Sequence, residues 1–459
     1  MATLVSRRRL FATAGVMSGG IVLAACGAVP AAAPPAEDEA PAAEEAAPAP
    51  AEPVTISFWA ASVFATADHP ASSIVERFNE QNPDITVEVQ PIPVGLRAKE
   101  KFITAAAAGS PPEVFYLDRY LAGQFSAAGF LADLTPRVNA TSVFEWEDFW
   151  PKLREDVTWK GKVYAVPLHC DGRALHWNKE HFIEIGLDPE EPVGTWDELE
   201  SAASRLYKTS GEAVERIGFT PTWGNPPHFL QWYIWFWQLG GEYLTPDNRK
   251  PNFNNDAGLG AFKFMLGLLD LQGGLEGITA ALGNTNPSQN DHFTVGRVSM
   301  MVHNGASTTR RYQNWGASVT WGVGGLPIPE GGLRTNYLGG WSIAMPQVGG
   351  HPDQAFRFVE HLMTKESQLT WADGLGLVPA LESIARSDEY RSSAPHAIPV
   401  MDEIKVAKWV PVIPGNDEIL TADRTAWVNA STGKVTPEEA LAQKEVEVQA
   451  ILDKWADSL

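Results

Sequence analysis

The side chains of this sequence that are equipped for chemistry stand at the expected ends of strands, and none forms a recognisable nucleophile–base pair. There is no HExxH, no CxxC, no GxSxG and no phosphate-cradling GxxxxGK[ST]. Gly322-Val323-Gly324-Gly325 lacks the third glycine, the following helix and the acidic partner of a dinucleotide site. His169, His176, His303 and His361 stand singly on strand or helix patterns, the setting of hydrogen-bonded structural histidines, so neither a metal nor a cofactor is expected. What remains is Asp118-Arg119, Asp171 and Asn304. A carboxylate accepts from hydroxyls, a guanidinium donates through a planar fork and an amide does both, which suits reversible recognition of vicinal hydroxyls. Trp59, Trp223 and Trp341 add indole faces that can pack on the flat C–H side of a pyranose. Asp118 and Asp171 are the carboxylates that glycoside hydrolysis would need, at a spacing only three dimensions give. Asp118 beside Arg119 is expected to stay ionised, the wrong state for a general acid.

Hydropathy periods show what must position these groups. Val54-Thr55-Ile56-Ser57-Phe58-Trp59 alternates as a strand, and Ile74, Val75 and Phe78 make a helical stripe that stops before Asn82-Pro83. Ile85 to Val89 alternates again. Phe102 to Ala108 reads as a helix closed by Gly109-Ser110-Pro111, and Val114 to Leu117 is a short apolar strand leading into Asp118-Arg119. This β-α-β-α-β order predicts a mostly parallel sheet covered by helices. Ligands on such sheets bind outside the carboxyl ends of the strands, where Trp59 and Asp118-Arg119 fall. Later, Thr195 and Glu198 form a capping box, and Trp232 to Trp237 is aromatic on every face, the mark of a buried helix rather than a ligand platform. Phe293 to Val302 runs through a glycine turn into a buried strand, with Asn304-Gly305 at its end. His351-Pro352 to Lys365 repeats the helical stripe.

The run Gly161 to Lys179 (GKVYAVPLHCDGRALHWNK) looks like a chain leaving one domain for another. Gly161-Lys162 is a turn and Val163 to Val166 a short strand ended by Pro167. Asp171-Gly172 is a second turn signal, and Ala174 to Trp177 a second strand before a helix start at Asn178-Lys179-Glu180.

The N-terminus is an address. Ser6-Arg7-Arg8-Arg9-Leu10-Phe11 is a basic region of twin-arginine pattern, followed by a small-residue apolar run to Ala25 that is too short for a membrane span. Leu23-Ala24-Ala25-Cys26 matches a lipobox, so residues 1–25 are read as a signal peptide and Cys26 as the lipidated residue. Gly27 to Pro53 is almost wholly Ala, Pro and Glu, with nothing to bury, and is read as a disordered tether of about 80 Å reach. Loss of the leader removes three arginines and moves the net charge from −21 to −24, which argues against nucleic acid and anionic lipid as partners. Residues 54–459 are long enough for two domains. With Cys26 on lipid, Cys170 is the remaining cysteine and no intrachain disulfide is expected.

The stretch GKVYAVP…HWNK resembles the crossing segment of the extracellular solute-binding proteins of ABC importers, in their sugar-binding group. Phe78 to Val89 (FNEQNPDITVEV), Pro111 to Tyr116 (PPEVFY), Gly129 to Pro136 (GFLADLTP), Thr195 to Leu199 (TWDEL) and Phe293 to Met301 are similar to further motifs of that family, in its order. The resemblance implies an α/β, periplasmic-binding-protein-like fold: two α/β lobes joined by a three-crossing hinge, with the ligand cleft between them. Its N-terminal lobe would be 54–168 and 342–374 and its C-terminal lobe 169–341 and 375–459, with the second crossing at Leu338-Gly339-Gly340-Trp341 and the third at Leu375 to Pro379. It implies a lipid-anchored, extracytoplasmic and monomeric binding subunit that captures a carbohydrate by lobe closure, delivers it to the permease subunits and is no enzyme. The residues implied in binding are Trp59, Tyr116, Asp118, Arg119, Asp171, Trp223, Asn304 and Trp341. A polyamine, peptide or glycerophosphodiester carrier is the alternative within the class, and an extracellular glycoside hydrolase the alternative outside it.

Overall fold

The alternating and striped segments form the elements that their periods predict. In the computed structural model the described residues are 53–67, 69–92, 96–220, 229–282 and 291–459; Trp223, Cys26, the leader and the tether lie outside them. The chain runs β1 (Val54–Ala60), α1 (Pro70–Gln81), β2 (Ile85–Pro91), α2 (Leu96–Ala107), β3 (Val114–Asp118), β4 (Ala165–Pro167) and β5 (His169–Asn178). It continues through α3 (Trp196–Leu206), β6 (Ala213–Thr220), α4 (Gln231–Gln238), β7 (Val298–Asn304), α5 (Gly305–Trp315), β8 (Asn336–Gly339) and β9 (Trp341–Ala344). The last elements used here are α6 (Pro352–Met363), α7 (Lys365–Leu375), β10 (Val378–Pro379), α8 (Ile398–Ile404), α9 (Asn416–Ser431) and α10 (Pro437–Lys454).

Two sheets result. The first has the order β2-β1-β3-β9-β4, with β1 parallel to β2 and β3, and β9 antiparallel to β3 and β4. In the second, β5 lies between β8 and β7, and β7 runs parallel to β6. The apolar stripe of α1 (Ile74, Val75, Phe78) is buried with Phe58 of β1 and Phe358 of α6, each such side chain contributing about 1.5–3 kcal/mol by leaving water. All eight residues of α4 are buried in the core of the second lobe, as its all-round aromatic character predicts. Thr195 and Glu198 form the predicted capping box on α3.

The region around Asp171 differs from its sequence reading. Instead of two short strands joined by a turn, residues 169–178 form one ten-residue strand, with Gly339 opposite Asp171 and Leu338 opposite Gly172. Gly172 is there for close approach, not for turning: a Cβ on it would lie 2.9 Å from Cγ1 of Val400 in α8. The expected lobe boundary also moves. Leu377, Val378, Ala380, Leu381 and Ile384 pack in the same cluster as Phe58 and Phe358, whereas α9 and α10 pack with α4. Trp150 explains the first placement, since its Nε1 donates to Pro379 O at 3.0 Å and its backbone N–H to Ala380 O at 3.3 Å.

Two chain passages join the lobes before β10, and a third strand meets them; the chain returns to the second-lobe core only between Ala407 and Val410, not at the expected third crossing. β4 belongs to the first sheet and β5 to the second, with Leu168 between them; β8 and β9 are likewise divided by Gly340; β10 pairs with the first residues of β5. Gly340 has φ +135°, and a Cβ there would meet Arg119 Nη1 and His169 O, each at 2.5 Å, so no other residue fits without displacement. Arg119 is fully buried. Its Nη1 donates to His169 O (2.9 Å), its Nη2 to Gly339 O (2.6 Å), and its Nε lies 3.4 Å from Asp156 Oδ2. One guanidinium thus ties the first crossing to the second. Gln368 of α7, also fully buried, ties the first to the end of β10: its Nε2 donates to Leu168 O and its Oε1 accepts from Ala380 N, both at 3.1 Å.

Replacing Arg119 with Met removes the donor to two buried backbone carbonyls and leaves the buried carboxylate of Asp156 with Lys152 as its one cationic partner. Urea unfolding followed by tryptophan fluorescence should show a loss of about 3–5 kcal/mol. The triple change Arg119→Met with Asp156→Leu and Lys152→Met should recover part of that loss, because Asp156 is paired with Lys152 as well as with Arg119 and all three charges are then gone.

Candidate functional site

Strand parity decides which predicted residues meet. Along β3, Tyr116 and Asp118 point to one side of the sheet, and Phe115 and Leu117 to the other. Trp341 at the start of β9 stacks on Tyr116, with ring centroids 4.7 Å apart and planes 4° from parallel. Opposite this aromatic pair, β5 contributes His169 and Asp171 and the end of β7 contributes Asn304; α5 adds Ser307, Arg310, Arg311 and Asn314. The cleft is open to solvent and about 410 Å³ in volume, with His69, Gly374, Leu375 and Leu377 also in its lining. Another cavity, of about 470 Å³, sits beside α3 and takes no side chain from the first lobe, so lobe closure would leave it unchanged.

Tyr116, Asp171, Asn304 and Trp341 therefore line one cleft, and Asp118 stands opposite Trp341 in the β3–β9 register. Two expectations are corrected. Trp59 faces the other side of the first sheet, where it packs in one cluster with Phe102, Phe115 and Leu117 under the ammonium of Lys101, 4.1 Å above its ring. Arg119 offers no fork to a solute, because its guanidinium is occupied by the hinge carbonyls and Asp156. Trp223 lies outside the described residues. The polar face of α5 was not picked out in the sequence, yet its signal was there: Ser307, Arg310, Arg311 and Asn314 recur at i, i+3, i+4 and i+7 directly after Asn304-Gly305.

The polar groups of the cleft are partly engaged. Asp171 Oδ1 accepts from Arg173 Nη1 at 2.9 Å, and Oδ2 from Asn304 Nδ2 at 3.2 Å. Asn304 Oδ1 and Ser307 Oγ are buried without a hydrogen-bond partner, which leaves an acceptor and a hydroxyl facing the site. His169 Nδ1 accepts from Trp371 Nε1 at 3.0 Å, and burial, helped by Arg119, pushes its pKa well below the ordinary value, so the ring is neutral and Nε2 carries the proton. His176, His303 and His361 are hydrogen-bonded within the fold, to Gly305 O, Thr308 Oγ1 and Ile74 O.

The expectation that Asp118 stays ionised is also corrected. Burial lifts its pKa to about 7, and the opposing Arg119 charge does not cancel that rise, while Asp171 adds to it. The Arg119 charge opposes the rise but is outweighed by burial, and its hydrogen bonds go to the crossings.

Residues 73–398 match the family described as bacterial extracellular solute-binding protein, and the chain belongs to that family. It is 24% identical over 384 residues to a Brucella abortus (strain 2308) protein named for binding, covering 83% of this chain and 89% of that one. It is 24% identical over 335 residues to the maltotriose-binding protein of Pyrococcus abyssi (strain GE5 / Orsay), covering 70% and 65%. Among solved structures, the ABC transporter solute-binding protein of Thermotoga lettingae TMO, bound with alpha-D-tagatose, is similar with a TM-score of 0.75 at 24% identity, covering 87% of this chain and all of that one. At that identity the structural likeness is one of fold: two α/β lobes around a cleft.

Asp118 sets a pH test. Between the ordinary carboxylate range near ~4 and about 7, the folded protein holds a proton that the unfolded chain has released, so this group weakens folding as pH rises through that window. Asp118→Asn should be more stable than the parent above pH of about 8, with the advantage shrinking toward a pH of about 5, as read by paired chemical denaturation curves.

Proposed function

We propose that this protein is the solute-capturing subunit of an ABC importer and that its solute is a carbohydrate. The observation that carries the reading is the cleft itself: an aromatic stack from the first lobe (Tyr116 on Trp341) faces a wall of donors and acceptors from the second (Asp171, Asn304, Ser307, Asn314). A pyranose has that same division, with a flat C–H face for the indole and a rim of hydroxyls for the polar wall. The relatives support it, since one is a maltotriose-binding protein and another is bound with alpha-D-tagatose. Solute docks on one lobe, the other closes on it, and the closed form is what the permease recognises. In this reading the protein is a monomer held at the outer face of the membrane by lipid on Cys26, with residues 27–53 as the spacer.

One observation favours a second reading. A carboxyl with its pKa near about 7 at Asp118, beside the charge of Asp171, is the kind of group that donates a proton in glycoside cleavage. The binding-protein reading predicts full recovery of unaltered sugar after prolonged incubation. Products that form with the parent and vanish in Asp118→Asn would establish the hydrolase instead.

Calorimetric titration against a panel of mono- and oligosaccharides tests the main reading, with small-angle scattering showing contraction on binding. Trp341→Ala should weaken the best ligand by about 1–2 kcal/mol, roughly five- to thirtyfold, with an unchanged apo melting temperature. Unaltered affinity would remove Trp341 from the site.

A further inference from the structure

The wall that α5 gives to the cleft is stronger in donors and positive charge than a neutral sugar requires. Ser307, Arg310, Arg311 and Asn314 share one face of this eleven-residue helix, and that face lines the cleft. The helix begins at the cleft, and the side chain of its N-cap, Asn304, makes no capping hydrogen bond; its amide donates to Asp171 instead. The N–H groups of the first turn therefore lack the side-chain acceptor that usually answers them, and the helix dipole adds positive potential at the same point.

A second observation is independent of the helix end. Ser307 is 8% exposed and its Oγ has no hydrogen-bond partner, although the residue lines the cleft. A buried hydroxyl without a partner is costly unless something arrives to meet it. Beside it, burial lowers the pKa of Arg311, against the opposing pull of Tyr312, Asp291 and Asp171. A guanidinium removed from water gains most from a close, desolvated anion.

Of the nearby carboxylates, Asp291 and Asp171 both act on Arg311, so a bound anion would share that guanidinium with them. Asp171 is held by Arg173 and Asn304, and Asp373 by Arg310 at 2.5 Å. Asp118, with its raised pKa, carries only part of its charge at neutral pH.

We infer that the solute bears an anionic oxygen group, a carboxylate or a phosphate, and that this group docks at the first turn of α5 against Ser307 and Arg311. The solute class is an acidic sugar, so the inference rests on the carbohydrate reading above and narrows it. The neutral part of the ring lies toward Trp341 and Tyr116.

Matched pairs test it by calorimetric titration of the full protein: D-glucuronate, D-galacturonate and D-gluconate against D-glucose, D-galactose and D-glucitol, with D-glucose 6-phosphate to separate phosphate from carboxylate. The corresponding di- and trisaccharides extend each pair. The strongest ligand should be an acid, bound roughly tenfold or more tightly than its neutral partner, and its affinity should fall with added salt. Arg311→Gln should abolish that preference and leave the weaker neutral binding in place. Ser307→Ala, a change too small to threaten folding, should reduce acid binding roughly threefold and neutral binding less. If Arg311→Gln does not fold by circular dichroism, the Ser307→Ala result and the salt dependence decide. A neutral sugar that binds as tightly as its acid, or more so, overturns the inference and leaves the carbohydrate reading standing. Absence of binding by every member of the panel overturns both.

Discussion

Two lobes can share a ligand only if the chain passages between them keep one geometry, and here that geometry depends on a single buried guanidinium. Arg119 holds His169 O of the first crossing and Gly339 O of the second, while Asp156 balances its charge. An ion pair out of water is expensive, and the hydrogen bonds to His169 O and Gly339 O offset part of that expense. Every cleft residue on β5 and β9 takes its position from this point. His169 is itself one of the carbonyls held, Asp171 is two residues further on, and Trp341 is two residues beyond Gly339. Gln368 extends the same arrangement to the end of β10, and Trp371 of the same helix fixes the imidazole of His169.

The division of labour across the cleft follows from which side chains each lobe can spare. The first lobe presents rings, because Tyr116 and Trp341 come from neighbouring strands whose side chains stack at van der Waals distance. The second presents polar groups, because α5 leaves β7 just at the cleft and turns one of its faces into it. A solute meeting one lobe alone makes half of its contacts. Under the proposed reading, closure would draw its driving force from the solute itself.

Local sequence misled where spatial neighbours outweighed chain neighbours. Asp118 and Arg119 are adjacent in the chain, yet the guanidinium is hydrogen-bonded to the crossings, and burial outweighs its charge in setting the carboxyl. Trp59 occupies a plausible strand terminus, yet its parity on β1 turns it into the core beneath α2. Asp171-Gly172 carries the composition of a turn. The strand continues through it because Val400 needs the space that a side chain on Gly172 would fill.

The sequence by itself determined the repeating pattern: strands by alternation, helices by stripe and cap, the all-round aromatic helix as buried, and the absence of recognisable catalytic motifs. These are local properties, legible because a period of two or of 3.6 residues is written in consecutive positions. Only the tertiary structure decided which polar residues share a cleft, which are consumed by the hinge, and where residues 377–407 pack. It also brought Lys444 of α10 to Asp423 of α9 at 2.7 Å, under the hydroxyls of Tyr233 and Tyr243, a buried set that draws on three separate parts of the chain. The physical reason is the same in each case. Burial and strand parity are set by partners dozens to hundreds of residues away, and no window along the chain contains them.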